Sequence, residues 1–217
     1  MTETPPSLYA AREPIFPKTV RGPFRTLKWW LLGLTLAIYY ITPWIRWDRG
    51  PNLPDQAVLV DLAGRRFYYF WIEIWPHEFY FVAGLLIMAG VGLFLFTSAL
   101  GRVWCGYACP QTVWTDLFLF VERRVEGDRN AQTRLWNAPW SARKLRLRLT
   151  KWLVWLLIAV STGGAWVFYF ADAPTLARAL VTLTAPLVAY TTIAILTATT
   201  FLFGGFMREQ VCIYMCP

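Results

Sequence analysis

FYFVAGLLIMAGVGLFLFTSALGRVWCGYACP, Phe79 to Pro110, is the stretch from which the fold reads. Its first 22 residues contain no Lys, Arg, Asp or Glu. At about 1.5 Å per helical residue they reach about 33 Å, enough to cross a hydrocarbon core of about 30 Å. Two cysteines follow at the spacing C-x3-C-P: Cys105, Cys109 and Pro110. An apolar span that ends on a pair of thiols is therefore the unit to look for elsewhere.

The unit recurs. Three more apolar runs are free of charge, Trp29 to Ile45, Trp152 to Ala171 and Ala185 to Phe206, and the last leads to CIYMCP. Cys212, Cys216 and Pro217 repeat the first motif at a constant offset of 107 residues, and these four are all the cysteines of the chain. The composition agrees: 57% of residues are hydrophobic and only 16% are charged, against about 25% charged in soluble domains. The expected fold is an all-α membrane protein of four transmembrane helices, arranged as two parallel two-helix repeats that each end in C-x3-C-P. The expected boundaries are an N-terminal segment 1–28, a first repeat 29–110, a basic connection 111–151 and a second repeat 152–217. The first run is too long for a signal-peptide core and reads as an uncleaved span.

Charge sets the expected orientation. Arg12, Lys18, Arg21, Arg25 and Lys28 precede the first run, and ten basic residues lie between Gly101 and Lys151. The Arg46 to Glu78 loop holds four basic residues against five acidic ones. The positive-inside rule then places the N-terminus, the basic connection and both cysteine pairs on the cytoplasmic side. The net charge of +8 is accounted for by this bias and by anionic lipid, which makes the bilayer the expected partner and removes the case for nucleic acid.

A reducing cytoplasm disfavours structural disulfides and favours metal or redox chemistry at the thiols. On a helix, Cys105 and Cys109 share a face and reach one centre. Pro110 predicts an extended Cys109 and a new helix with proline in its first turn. Backbone N–H groups at such a break point at negative charge on thiolate or sulfide. C-x3-C-P is the tail of a ferredoxin cysteine run without its front half, so Cys105, Cys109, Cys212 and Cys216 together are the expected ligands of one [4Fe-4S] cluster. The same four thiols suit cuprous copper or a tetrahedral zinc site, or stand as inert or palmitoylated surface thiols.

GRVWCGYACPQTVW and VERRVEGDRNAQ, with the closing REQVCIYMCP and the loop DLAGRRFYYFWIEIWP, resemble the CcoG/FixG/RdxA family of polyferredoxin-like accessory proteins for cbb-type cytochrome c oxidase. The resemblance implies a multi-pass protein of the bacterial cytoplasmic membrane with iron-sulfur centres. It implies assembly of that oxidase, by reduction of cupric to cuprous copper, as the function, and the oxidase or its copper-delivery factors as partners. Such an activity would make the chain an oxidoreductase. Family members continue past the second motif into a ferredoxin-type domain, a further span and a periplasmic immunoglobulin-like domain, so this chain reads as an N-terminal membrane fragment. Whether the two cysteine pairs meet within one chain or across a homodimer stays open at this point.

Other residues have plainer readings. Arg102, Arg123, Arg124 and Arg208 are expected as inner-leaflet anchors, and Glu122 with Glu126 as a solvated helix face near Arg129. His77, the single histidine, excludes bis-histidine haem ligation within one chain and is expected at the outer membrane interface. The loop before it is expected as a short hairpin or an interfacial segment.

Overall fold

A computed structural model describes residues 15–50, 53–101, 103–107 and 109–215. Helices dominate, and among the described residues three are long and apolar enough to cross a membrane: Pro76–Leu100, Ala142–Val167 and Leu187–Phe206. The first of these contains α2 (Phe79–Leu100), none of whose residues is buried. An isolated helix that is apolar on every side has no stable place in water, and lipid is its natural solvent.

The helix expected at Trp29 begins six residues earlier. α1 runs Pro23–Ile41, with Pro23 in its first turn. Its N-terminal turns carry Arg25 and Lys28, which share the carboxylate of Asp116 at 3.2 and 2.6 Å. The charged start is thus part of the packed helix, and α1 is not among the three helices apolar enough to span.

The connection after the first motif folds rather than trailing. α3 (Val103–Tyr107), α4 (Pro110–Glu126) and α5 (Arg129–Asn137) lead into α6 (Ala142–Val167). α4 lies antiparallel along α6: Trp114 Nε1 donates to Thr162 Oγ1 at 3.0 Å, and Glu126 pairs with Lys151 at 2.7 Å. Between these ends Phe118, Val121 and Trp155 form a core cluster that Trp114, Ile158 and Phe201 complete. Leu187–Phe201, α8, packs against α6 where Gly163 removes the obstacle. A Cβ at Gly163 would stand 3.0 Å from the Ile193 carbonyl oxygen and 3.2 Å from Thr197 Oγ1.

At the other end of α6 sits a small sheet, absent from an all-α fold. β1 (Val58–Asp61), β2 (Arg66–Tyr69) and β3 (Ile72–Ile74) are antiparallel in sequence order, with Leu59 opposite Tyr68 and Tyr68 opposite Glu73. The expected hairpin therefore gains a third strand. Gln56, 1% exposed, ties the sheet to the helices. Its amide donates to the Phe168 carbonyl at 2.7 Å and accepts from Ala173 N–H at 3.1 Å. Asp172 caps α7 (Ala173–Val181) through the Thr175 N–H and takes Arg46 at 2.7 Å. Partial burial pushes its carboxyl upward, but the bonds from Arg46 and Thr175 outweigh that and hold it below the usual aspartate value.

Candidate metal centre

The first motif is built on a helix break. After α2, Gly101 takes φ 66 and ψ −140, a conformation open to glycine. The short α3 carries Cys105. Cys109 is extended at φ −61 and ψ 128 and stands as the N-cap of α4, with Pro110 in the first turn. Both features follow from the proline, as the sequence predicts. The continuous helix that would stack the two cysteines one turn apart does not form, because Pro110 cannot continue it.

Local hydrogen bonds fix the pair. Cys109 N–H donates to the Trp104 carbonyl at 3.1 Å, and Thr112 Oγ1 donates to the Cys105 carbonyl at 2.6 Å. Both cysteines are half-buried. Pro110 has no N–H, so Gln111 is the first donor at the start of a 17-residue helix, whose N-terminal end favours a net negative group. Thiol chemistry, partial burial and helix-start donors suit an iron-sulfur ligand pair.

The second motif is reached through α8. That helix passes into a π-helical turn, Leu202–Phe206, then the turn Arg208–Gln210 and a second π-helical stretch, Val211–Met215. Cys212 is exposed. Cys216 and Pro217 lie outside the described residues. The approach to Cys212 is held against α4 in three places. Gln111 Nε2 donates to the Phe203 carbonyl at 3.3 Å. Gly204 lies against the Phe118 ring, which a Cβ would meet at 3.1 Å. Arg208 grips both oxygens of Glu122 at 2.6 and 3.0 Å.

These contacts run from Gln111 to Glu122, so the approach to Cys212 advances about 16 Å along α4, away from Cys109, at about 1.5 Å per residue. Among the described residues no three of His, Cys, Asp and Glu come together as a metal-holding group. Cys105 and Cys109 are adjacent in the fold, and the described residues do not bring Cys212 to them as a third ligand. His77 lies beside Trp75 at the start of α2, ring centroids 6.4 Å apart.

The acidic residues of α4 depart most from expectation. Glu122 and Glu126 are not a solvated face. Glu122 is 9% exposed, held by Arg208 and approached by Lys151 at 3.8 Å. Lys151 also binds Glu126 at 2.7 Å. Both cations lie over the Trp155 ring, at 5.1 and 5.3 Å. Arg208 is accordingly an internal clamp rather than a lipid anchor. Asp116, not singled out from sequence, is 6% exposed between Arg25 and Lys28. Its signal was an acid inside the otherwise apolar run VWTDLFLFV.

Residues 81–126, which span α2, α3 and α4, match the family model described as a 4Fe-4S binding domain. Protein RdxB of Cereibacter sphaeroides is 74% identical over 97% of this chain. Protein RdxA of the same organism is 73% identical and the nitrogen fixation protein FixG of Rhizobium meliloti 69% identical, each over 97% of the chain. The chain is a close homologue of RdxA, RdxB and FixG. It spans only 44%, 45% and 40% of the lengths of RdxB, RdxA and FixG respectively. No solved structure matches it. With three helices fit to span and a matched cluster-binding domain that contains Cys105 and Cys109, this homologue of FixG is a membrane protein that binds a [4Fe-4S] cluster.

Proposed function

We propose that the chain transfers single electrons through a [4Fe-4S] centre ligated by Cys105, Cys109, Cys212 and Cys216, and that it serves assembly of a cbb-type cytochrome oxidase by reducing Cu(II) to Cu(I). The observation that carries this reading is the 4Fe-4S binding match over 81–126, a region that contains Cys105 and the proline-made helix break at Cys109. The repeat of C-x3-C-P at Cys212 and Cys216 supplies the other two thiols that a four-iron cluster takes. The kinship with RdxA, RdxB and FixG supports the oxidase connection.

In this reading the cluster supplies one-electron reduction, and the chain does the rest. The α4 N-terminus faces negative charge at Cys109. Trp104 and Thr112 hold the two first ligands in place through the backbone. The Arg208–Glu122 clamp fixes the strand of chain that leads to Cys212. Four spans in two parallel repeats, with α1 as the first of them, would bring both motifs toward one membrane side, and the basic residues make that side the cytoplasm. The second pair then meets the first either by a shift of the segment after Arg208 or across a homodimer.

The test is copper reduction. Anaerobically purified protein in nanodiscs, reduced with dithionite and freed of excess reductant, is mixed with Cu(II) and a Cu(I)-specific chelator. The expected result is about one Cu(I) per reduced cluster, lost in Cys105→Ser. Colourless protein that carries stoichiometric copper and no iron would instead support copper relay by the same four thiolates.

A further inference from the structure

A cavity of about 620 Å3 lies between α1, α4, α6 and α8, beside the first cysteine pair. Pro110, the residue after Cys109, is part of its wall. The volume falls within the range of about 300–1,000 Å3 typical of small-molecule sites. Its surface is mostly apolar, and Tyr39, Trp114, Trp166 and Phe203 give it aromatic walls. The Tyr39 and Trp114 rings meet edge to face at 5.6 Å. Both are fastened to Thr162: Trp114 Nε1 donates to its hydroxyl at 3.0 Å, and Tyr39 O–H donates to its carbonyl at 2.8 Å. This wall is therefore rigid before any ligand arrives.

Two polar groups on the lining retain unused capacity. Gln111 spends its Nε2 on the Phe203 carbonyl, which leaves its amide oxygen as an acceptor. The Thr200 hydroxyl makes no hydrogen bond among the described residues. An acyl chain would leave both unsatisfied. A flat ring with oxygens at opposite ends uses both: a ring carbonyl accepts from Thr200, and in the reduced ring a hydroxyl donates to Gln111. The rest of the volume and its apolar lining suit the first units of an isoprenoid tail. α6 and α8, two of the helices fit to span a membrane, form much of the wall, so such a ligand comes from the lipid phase.

We propose that this cavity binds the head group of a membrane quinone next to Cys109, whose reduced form is the centre's electron donor: each quinol gives up two electrons in single steps through the centre to two Cu(II), releases two protons to water and leaves as the quinone. The binding chemistry stands on the cavity alone, whereas its purpose rests on the electron-transfer reading above.

The test uses the full chain in phospholipid nanodiscs with a photoreactive azido-ubiquinone, and peptide mapping by mass spectrometry. Saturable labelling is expected in the α4 start or the Leu196–Phe203 segment, displaced by decylubiquinone and not by palmitate. Thr200→Val should weaken binding about tenfold, the effect of one hydrogen bond. Thr200→Phe, which fills the cavity, should abolish it. Ile195→Phe, on the same helix and 63% exposed, should leave it unchanged and controls for folding. Labelling that palmitate displaces equally, or that survives Thr200→Phe, overturns the proposal. Protein that labels as expected but holds no iron keeps the quinone site and sinks the electron-transfer reading. Protein that holds iron but does not label does the reverse.

Discussion

Replacing Arg208 by alanine removes the clamp between α4 and the segment that leads to Cys212. The side chains of Arg208 and Glu122 are 18% and 12% exposed, with a shortest contact of 2.6 Å. Removal of one partner from a buried pair costs about 3–5 kcal/mol, because the other charge is left without compensation. Here Lys151 stands 3.8 Å from Glu122 but already serves Glu126 at 2.7 Å, so compensation is partial. The low end, about 3 kcal/mol, is expected, or about 150-fold in the folded-to-unfolded ratio. Unfolding by SDS in mixed micelles, followed by tryptophan emission, measures it. The double variant Arg208→Met with Glu122→Gln should recover at least half of the loss, since no stranded charge remains. The same clamp holds the approach to the second cysteine motif, so Arg208→Ala should also lower bound iron per chain. A loss below about 0.5 kcal/mol, or single effects that simply add in the double variant, would show that Arg208 and Glu122 are not a coupled buried pair.

Three further outcomes follow from particular contacts. Gly205→Ala places a Cβ 2.9 Å from the Trp155 ring, and overpacking of this kind should cost about 1–3 kcal/mol by the same unfolding assay. Trp114→Phe removes the bond to Thr162 and should cost about 1 kcal/mol, visible as a lower melting temperature. Asp172 has a folded-state carboxyl below its ordinary value of 3.8. Its contribution is therefore fully present above pH 3.8 and is lost as pH falls through the lower folded value. Asp172→Asn should flatten the acid limb of the stability profile, and an unchanged limb would remove Asp172 from the account.

What could be read from sequence was what depends on short range. Absence of charge over Phe79–Leu100 marks a span without reference to any neighbour. Pro110 dictates both an extended Cys109 and a helix restart through its own ring. The 107-residue repeat of the cysteines is visible by inspection. What was not legible depends on partners far along the chain. Glu122 looks like a surface acid until Arg208, 86 residues away, is placed on it. Arg25 and Lys28 look like the polar edge of a span until Asp116 is placed between them. Charge by side of the membrane makes α4 part of a basic connection, whereas its Phe118 and Val121 bury against Trp155. The third strand escaped because Ile72–Ile74 is only three residues long, with too little alternation to register.

The central claim is that two C-x3-C-P pairs hold one cluster. Iron and acid-labile sulfide counted per chain, together with the paramagnetic resonance of dithionite-reduced protein, test it most directly in wild type, Cys105→Ser and Cys212→Ser. About four iron and four sulfide per centre and a reducible signal are expected in wild type, and both are lost in each variant. Full iron content and an unchanged signal in Cys212→Ser would contradict it.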